Sequence, residues 1–428
     1  MASYPGDVAE VVEGKRVTWA EGFFDLVFVL AVTQVATLLG EHHQWWGLGR
    51  AFIVLALVYR TWVSTSLQTN RLSRDSTRDR ITLFGVGFCG LVMAIAIPHV
   101  YDSGGMQFAL AYWAARILLW LRYVPQYRPR VVTSLGLSAT VIGPMLVVGA
   151  LLPDTWREVV WLVAALCDLG SVAVMGRMHR FIHYDHSHLM ERFGLFVLIA
   201  LGEQIVDLSL PLARQSDNIR PLELLAVGVC FVVVCTLWWT YFDHSNAAIT
   251  LAIAGSQEHV VMSRQLTYGH FGVVGGIVCI AVGFEQMVTR PLVSMTFTHL
   301  NLLYGGAILL LVSMVYMRYA MSKVWRVARI AAIGVLLVLL YVSLLVSGIV
   351  ATALLAAALF GLVAVERRWP AFSTRGADRV RSDAGAGGQC VAPAGGVCGD
   401  GGTRVEAGTR PAGAAREPAA GRGVVRRG

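Results

Sequence analysis

Charge is what this chain has least of. Asp, Glu, Lys and Arg make up 14% of its 428 residues, against 56% hydrophobic residues, whereas a soluble domain carries roughly 25% charged residues. So few charges cannot cover a water-facing surface, and a string of soluble domains is excluded. The chain also lacks a cysteine framework. Its seven Cys are scattered, several of them within apolar runs, and none forms the C-x-x-C pair of a zinc site, which excludes a disulfide-stapled secreted scaffold. Residues 1–20 lack an apolar segment followed by a small-residue cleavage site; they hold Asp7, Glu10, Glu13, Lys15 and Arg16, so no cleaved signal peptide is expected and the first span is the anchor.

What is present is long apolar runs. A helix crosses a bilayer with about 20 mostly apolar residues, and such runs lie near 22–40, 48–67, 81–100, 106–124, 131–152, 157–176, 193–212, 222–239, 268–287, 300–319, 327–345 and 347–365. The last two form one stretch broken only by Ser347–Gly348. The expected fold is therefore all-α, a polytopic transmembrane helix bundle of 10–12 spans. The runs are continuous, whereas the strands of a membrane barrel alternate over about ten residues.

Lys and Arg are strongly biased between the loops. Nineteen fall on one side, and five (Arg50, Arg157, Arg214, Arg220 and Arg290) on the other. By the positive-inside rule both termini are cytoplasmic, in the inner membrane of the cell. The net charge of +8 is then a topology signal, not a nucleic-acid footprint. From about 371 to 428 the chain turns Gly-, Ala- and Arg-rich, and is expected to be a disordered cytoplasmic tail. It is either an inert extension or a basic segment touching anionic lipid.

The first and seventh spans resemble each other. EGFFDLVFVLAVTQVATL from Glu21 aligns with ERFGLFVLIALGEQIVDL from Glu191, with identities at Glu21/Glu191, Phe23/Phe193, Val27/Val197, Gln34/Gln204 and Leu38/Leu208. They are six spans apart in order, so a duplication gives two parallel halves, 21–190 and 191–366, with a binding site between them near the midplane.

Ionisable side chains inside the hydrocarbon cost at least ~2.5–3.5 kcal/mol each, so each needs a reason. Asp25, Arg60, Arg116, Glu203 and Asp207 stand out, while Asp168 and Glu285 depend on where the span boundaries fall. Depth at 1.5 Å per residue suggests two pairings, Glu203 with Arg116 and Asp25 with Arg60. Such pairs either fix helix packing or serve transport and proton relay. Glu203 and Asp207 share a helix face, which suits proton exchange. His179, His183, His186 and His188 cluster before the seventh span. They are weak metal candidates, because further His boxes are absent, and interfacial His without metal is the plainer reading. WWTYFDHS, Trp238 to Ser245, reads mainly as an aromatic belt, with Asp243 and His244 just inside it and placed to close a cytoplasmic vestibule.

Together, W-x-E-x-FFDLVFV (from Trp19, with Ala20 before Glu21 and Gly22 after it) running on to Gln34, HSHLMERFGLF through to LGE (His186 to Glu203), WWTYFDH (Trp238 to His244) and YGHFGVVGGIVCIAVGFE (Tyr268 to Glu285) resemble the low-temperature-requirement A (LtrA) family of bacterial membrane proteins over about residues 15–365. The resemblance implies a multi-pass inner-membrane protein and marks Glu21, Asp25, Gln34, His188, Glu191, Arg192, Glu203, Trp239 and Asp243 as functional. It implies no substrate.

The leading expectation is a transporter or permease whose path is lined by Glu21, Asp25, Gln34, Arg60, Arg116, Glu191, Arg192, Glu203, Gln204, Asp207, Trp239 and Asp243. A second is a membrane-embedded enzyme acting on a lipid or apolar metabolite at the cytoplasmic mouth. A third is a scaffold or sensor with purely structural ion pairs. The expected partners are the lipid bilayer and an unidentified small molecule or ion; neither a cofactor nor nucleic acid is expected.

Overall fold

The computed structural model describes residues 16–41, 45–70, 76–123, 133–176, 185–213, 219–254 and 259–368. The 371–428 tail and most of the first 20 residues lie outside them. Among the described residues the fold is all-α: α1 Trp19–Glu41, α2 Trp45–Asn70, α3 Thr77–Ala96, α4 Gly105–Tyr123, α5 Ser134–Ala150, α6 Asp154–Gly176, α7 His186–Ala213, α8 Pro221–Ala254, α9 His259–Thr289, α10 Phe297–Ser322, α11 Val327–Val342 and α12 Gly348–Arg368. Nine of these, all but α4, α5 and α6, are long and apolar enough to cross a membrane, α11 when taken together with the 3-10 turn that carries it to Leu345. Those three fall short for visible reasons. α4 carries Arg116 and Arg122, α5 has only 17 residues, and α6 opens on Asp154, Arg157 and Glu158.

Local chemistry sets several helix ends. Ser76 and Thr296 accept from the backbone N–H of Asp79 and His299 and cap α3 and α10. α5 is not regular. Pro144 has no N–H to offer Thr140, and the turn before it, Ser138–Ile142, widens to π geometry. The sequence break at Ser347–Gly348 is where α12 begins, after a 3-10 turn at Ser343–Leu345.

α1 packs against α2, α3, α7 and α9, and the most extensive helix pair is α9 with α10. Glycine permits that pair its close approach. A Cβ on Gly276 would lie 2.6 Å from the Gly306 carbonyl oxygen, and one on Gly306 would lie 2.7 Å from that of Gly276. The outside of the bundle is apolar, with Phe88, Val338, Leu345 and Phe360 among its exposed side chains. In water such a surface is a liability; in lipid it is the solvent-matched face. The chain is a multi-pass membrane protein.

Candidate functional site

Three polar assemblies interrupt the apolar interior. The first joins the start of α1, the end of α2 and the start of α7. Arg192 donates from Nη2 to Asp25 Oδ1 (2.6 Å) and from Nε to Oδ2 (3.1 Å), and its Nη1 reaches Glu21 Oε1 (3.0 Å) and Thr69 Oγ1 (3.2 Å). Trp62 Nε1 donates to Asp25 Oδ1 at 2.7 Å, with its ring stacked on Phe196 at 4.1 Å. Asn70 settles the state of His188. Asn70 Oδ1 accepts from the Asp185 amide, so its Nδ2 faces His188 Nδ1 at 3.1 Å. Nδ1 therefore accepts, the ring is neutral, and Nε2–H donates to Glu21 Oε2 at 3.2 Å. Every side chain in this network is buried.

The second assembly lies on the opposite face of α2. Asp168 of α6 receives Arg116 Nη2 (2.7 Å), Tyr112 OH (2.6 Å) and Ser138 Oγ (2.5 Å). Arg60 donates through Nε to the Asp168 carbonyl (3.1 Å) and through Nη2 to Ser134 (2.7 Å), and Ser64 Oγ accepts from Arg60 and Arg116 at 2.6 Å each. The π turn of α5 contributes Ser138; such turns recur at polar sites inside helices.

Both pairings expected from depth are corrected. Arg116 binds Asp168, not Glu203, and Asp25 binds Arg192, not Arg60. Depth is one coordinate of two. Arg60 and Trp62, two residues apart, point about 200° apart at 100° per residue, which turns Trp62 toward α1 and Arg60 toward α4–α6.

The third assembly is a cleft between α1, α7 and α9 at the Glu41 end. It encloses about 470 Å³ and is lined by Thr33, Thr37, Gly40, Glu41, Gln204, Asp207 and Glu285, with an apolar wall that includes Leu208, Val282 and Phe284. Behind it a recess of about 20 Å³ shares Gln204 and Asp207 and adds Glu203. Gln204 Nε2 donates to the Ile277 carbonyl at 2.6 Å, while its buried Oε1 has no hydrogen-bond partner among the described residues. Glu285 Oε2 would lie 3.1 Å from a Cβ on Gly40, so the missing side chain leaves it room.

The remaining sequence candidates sit apart. Gln34 is half-buried on α1 and Glu191 is exposed on α7, accepting from the Val17 amide at 3.3 Å. Asp243 takes Arg367 Nη2 at 2.8 Å, and that guanidinium lies 4.8 Å over the Trp239 ring. His179 and His183 lie outside the described residues, as does the side chain of His186. Among the described residues no three His, Cys, Asp or Glu side chains converge to hold a metal ion. Sequence reasoning passed over Trp62, Asn70, Tyr112 and Ser138, ordinary residue types for membrane helices. It also passed over the buried Arg329–Glu366 pair (2.8 Å) tying α11 to α12.

No solved structure matches the chain. An uncharacterized protein of Rhizobium meliloti is 29% identical over 343 residues, covering 76% of this chain and 83% of that one. The profile of the bacterial low temperature requirement A protein matches residues 16–364, a stretch that contains all three assemblies, and the chain belongs to that family.

Proposed function

We propose that the protein is a permease of the inner membrane, with both termini cytoplasmic and the cleft between α1, α7 and α9 as its solute site. One observation carries the reading. α1 and α7 each have a sealed polar network at one end, through Glu21 and Asp25 on α1 and His188 and Arg192 on α7, and an open polar cleft at the other. A carrier open to one side needs this arrangement. The network around Arg192 is the closed gate, and opening it means parting α1 from α7. The Lys/Arg bias supports a gate on the cytoplasmic side and a cleft on the outer side. The two helices that part are those whose sequences resemble each other, consistent with two parallel halves.

An enzyme at the cytoplasmic mouth is less well supported. Its acids and His188 are spent on one another and on Arg192, and Asp243 is engaged by Arg367. The permease reading is tested by whether the recess behind the cleft is reached by water-soluble reagents from each side of the membrane in turn.

A further inference from the structure

Gln204 of the cleft is held at one end of its amide and, among the described residues, unpartnered at the other. Its Nε2 is committed to the Ile277 carbonyl, which fixes the amide so that Oε1 is left as an acceptor with no donor among the described residues. It is 3% exposed and lines both the cleft and the recess behind it. A buried amide oxygen left unpaired is rare in folded proteins and asks for a donor.

The same recess holds Glu203 and Asp207, one turn apart on α7. Glu285 lines the open part of the cleft. Among the described residues none of these three carboxylates has an ion-pair partner. Among the described residues no three of these acids group to hold a metal ion, and two carboxylates beside one amide oxygen suit a single ammonium head. Sizes agree. The recess, about 20 Å³, has room for one water-sized group, which is the size of an ammonium head. The cleft, about 470 Å³, is in the range of small-molecule sites, and its apolar wall suits a hydrocarbon body.

We propose that the cleft binds a small organic ammonium. The –NH3⁺ head sits in the recess, donating to the carboxylates of Glu203 and Asp207 and, once a small shift of the side chain uncovers it, to Gln204 Oε1; the apolar body lies along Leu208, Val282 and Phe284. This deepens the reading of the cleft as a solute site and rests on it.

The test is calorimetric titration of the purified full chain in detergent with phenethylammonium, compared with its N,N,N-trimethyl derivative, phenylacetate and magnesium chloride. Phenethylammonium should bind saturably. The trimethyl derivative, with no N–H for Gln204, should bind about tenfold more weakly, the loss of one charge-assisted hydrogen bond. Asp207→Asn should weaken phenethylammonium by about tenfold or more. Glu203→Gln, a change at the other carboxylate that receives the head, supplies a second variant should Asp207→Asn not fold, and should weaken binding in the same direction. Absence of saturable binding by phenethylammonium, equal affinity for the trimethyl derivative, tighter binding of phenylacetate or magnesium, or no effect of either folded variant overturns the proposal. Amine binding without two-sided access to the recess leaves this inference standing and removes the permease. Two-sided access without amine binding does the reverse.

Discussion

Arg60 and Trp62 of α2 are two residues apart and serve different networks: the Arg60 guanidinium reaches Asp168, and the Trp62 indole reaches Asp25. α2 is thus a polar partition between two ionic assemblies. One has two carboxylates, Glu21 and Asp25, to one guanidinium; the other has two guanidiniums, Arg60 and Arg116, to one carboxylate. Each is formally unbalanced by one charge, with opposite sign. Removing a charge from either assembly therefore has different consequences according to which charge is removed.

Asp168→Asn leaves two buried guanidiniums with no carboxylate. Breaking a buried ion pair typically costs ~3–5 kcal/mol, so this variant should show a large fall in thermal midpoint by fluorescence-detected gel filtration. Arg116→Gln leaves Asp168 with Arg60 and should cost less. Coupling is the sharper readout. The Arg116→Gln/Asp168→Asn double variant should lose less than the sum of its singles, whereas Arg116→Gln with Glu203→Gln should be additive. Rescue in the second pair would restore the depth-based pairing.

Arg192 acts as a fork, bonding Asp25 through two nitrogens while a third reaches Glu21 and Thr69. Lysine carries the charge without the fork. Arg192→Lys should therefore leave buried acceptors short of donors, at about 1–3 kcal/mol, measured as a lower thermal midpoint. A midpoint equal to wild type would show that charge alone holds α1 to α7.

Much of the fold was legible because a membrane span is a one-dimensional property. The run at 22–40 became Trp19–Glu41, and the run at 193–212 became His186–Ala213. The extra turns are polar. Thr69 and Asn70 prolong α2 because their side chains are buried against Arg192 and His188, which no hydropathy window detects. Asp25, Arg60 and Arg116 were legible as buried charges for the same reason, but their pairing was not, and the buried Arg329 and Glu366 did not stand out. Pairing needs the rotation of each helix as well as its depth, and the rotation of α2 is set by which neighbours accept Trp62 and Arg60. Asp168 shows the second limit: it is sequestered in α6, a helix whose charged first turns obscure its start.

Close packing of α9 on α10 should be sensitive at one glycine and not at another. Gly276→Ala drives a Cβ to 2.6 Å from the Gly306 oxygen and should cost about 1–3 kcal/mol through overpacking. Gly228→Ala meets nothing within 4 Å and should keep the wild-type midpoint. Equal midpoints for the two variants would contradict the α9–α10 approach.

The gate also has a mutational signature. If the contacts of Arg192 with Asp25 and Glu21 hold one side shut, Arg192→Gln should raise the rate at which a membrane-impermeant thiol reagent reaches the recess from the Trp19 end. An unchanged rate in a folded variant would place the gate elsewhere.

The most direct measurement is access to the recess itself. Ala200 lines it and is buried, so Ala200→Cys, in a chain whose seven native cysteines are replaced by alanine, reports whether water reaches that depth. The impermeant reagent is applied to intact cells and, separately, to inside-out vesicles. A permease predicts modification from both sides, faster from the cleft side, with Arg192→Gln shifting the balance toward the other. Modification from one side only, under both preparations and in both backgrounds, would contradict it and leave a protein with a closed floor.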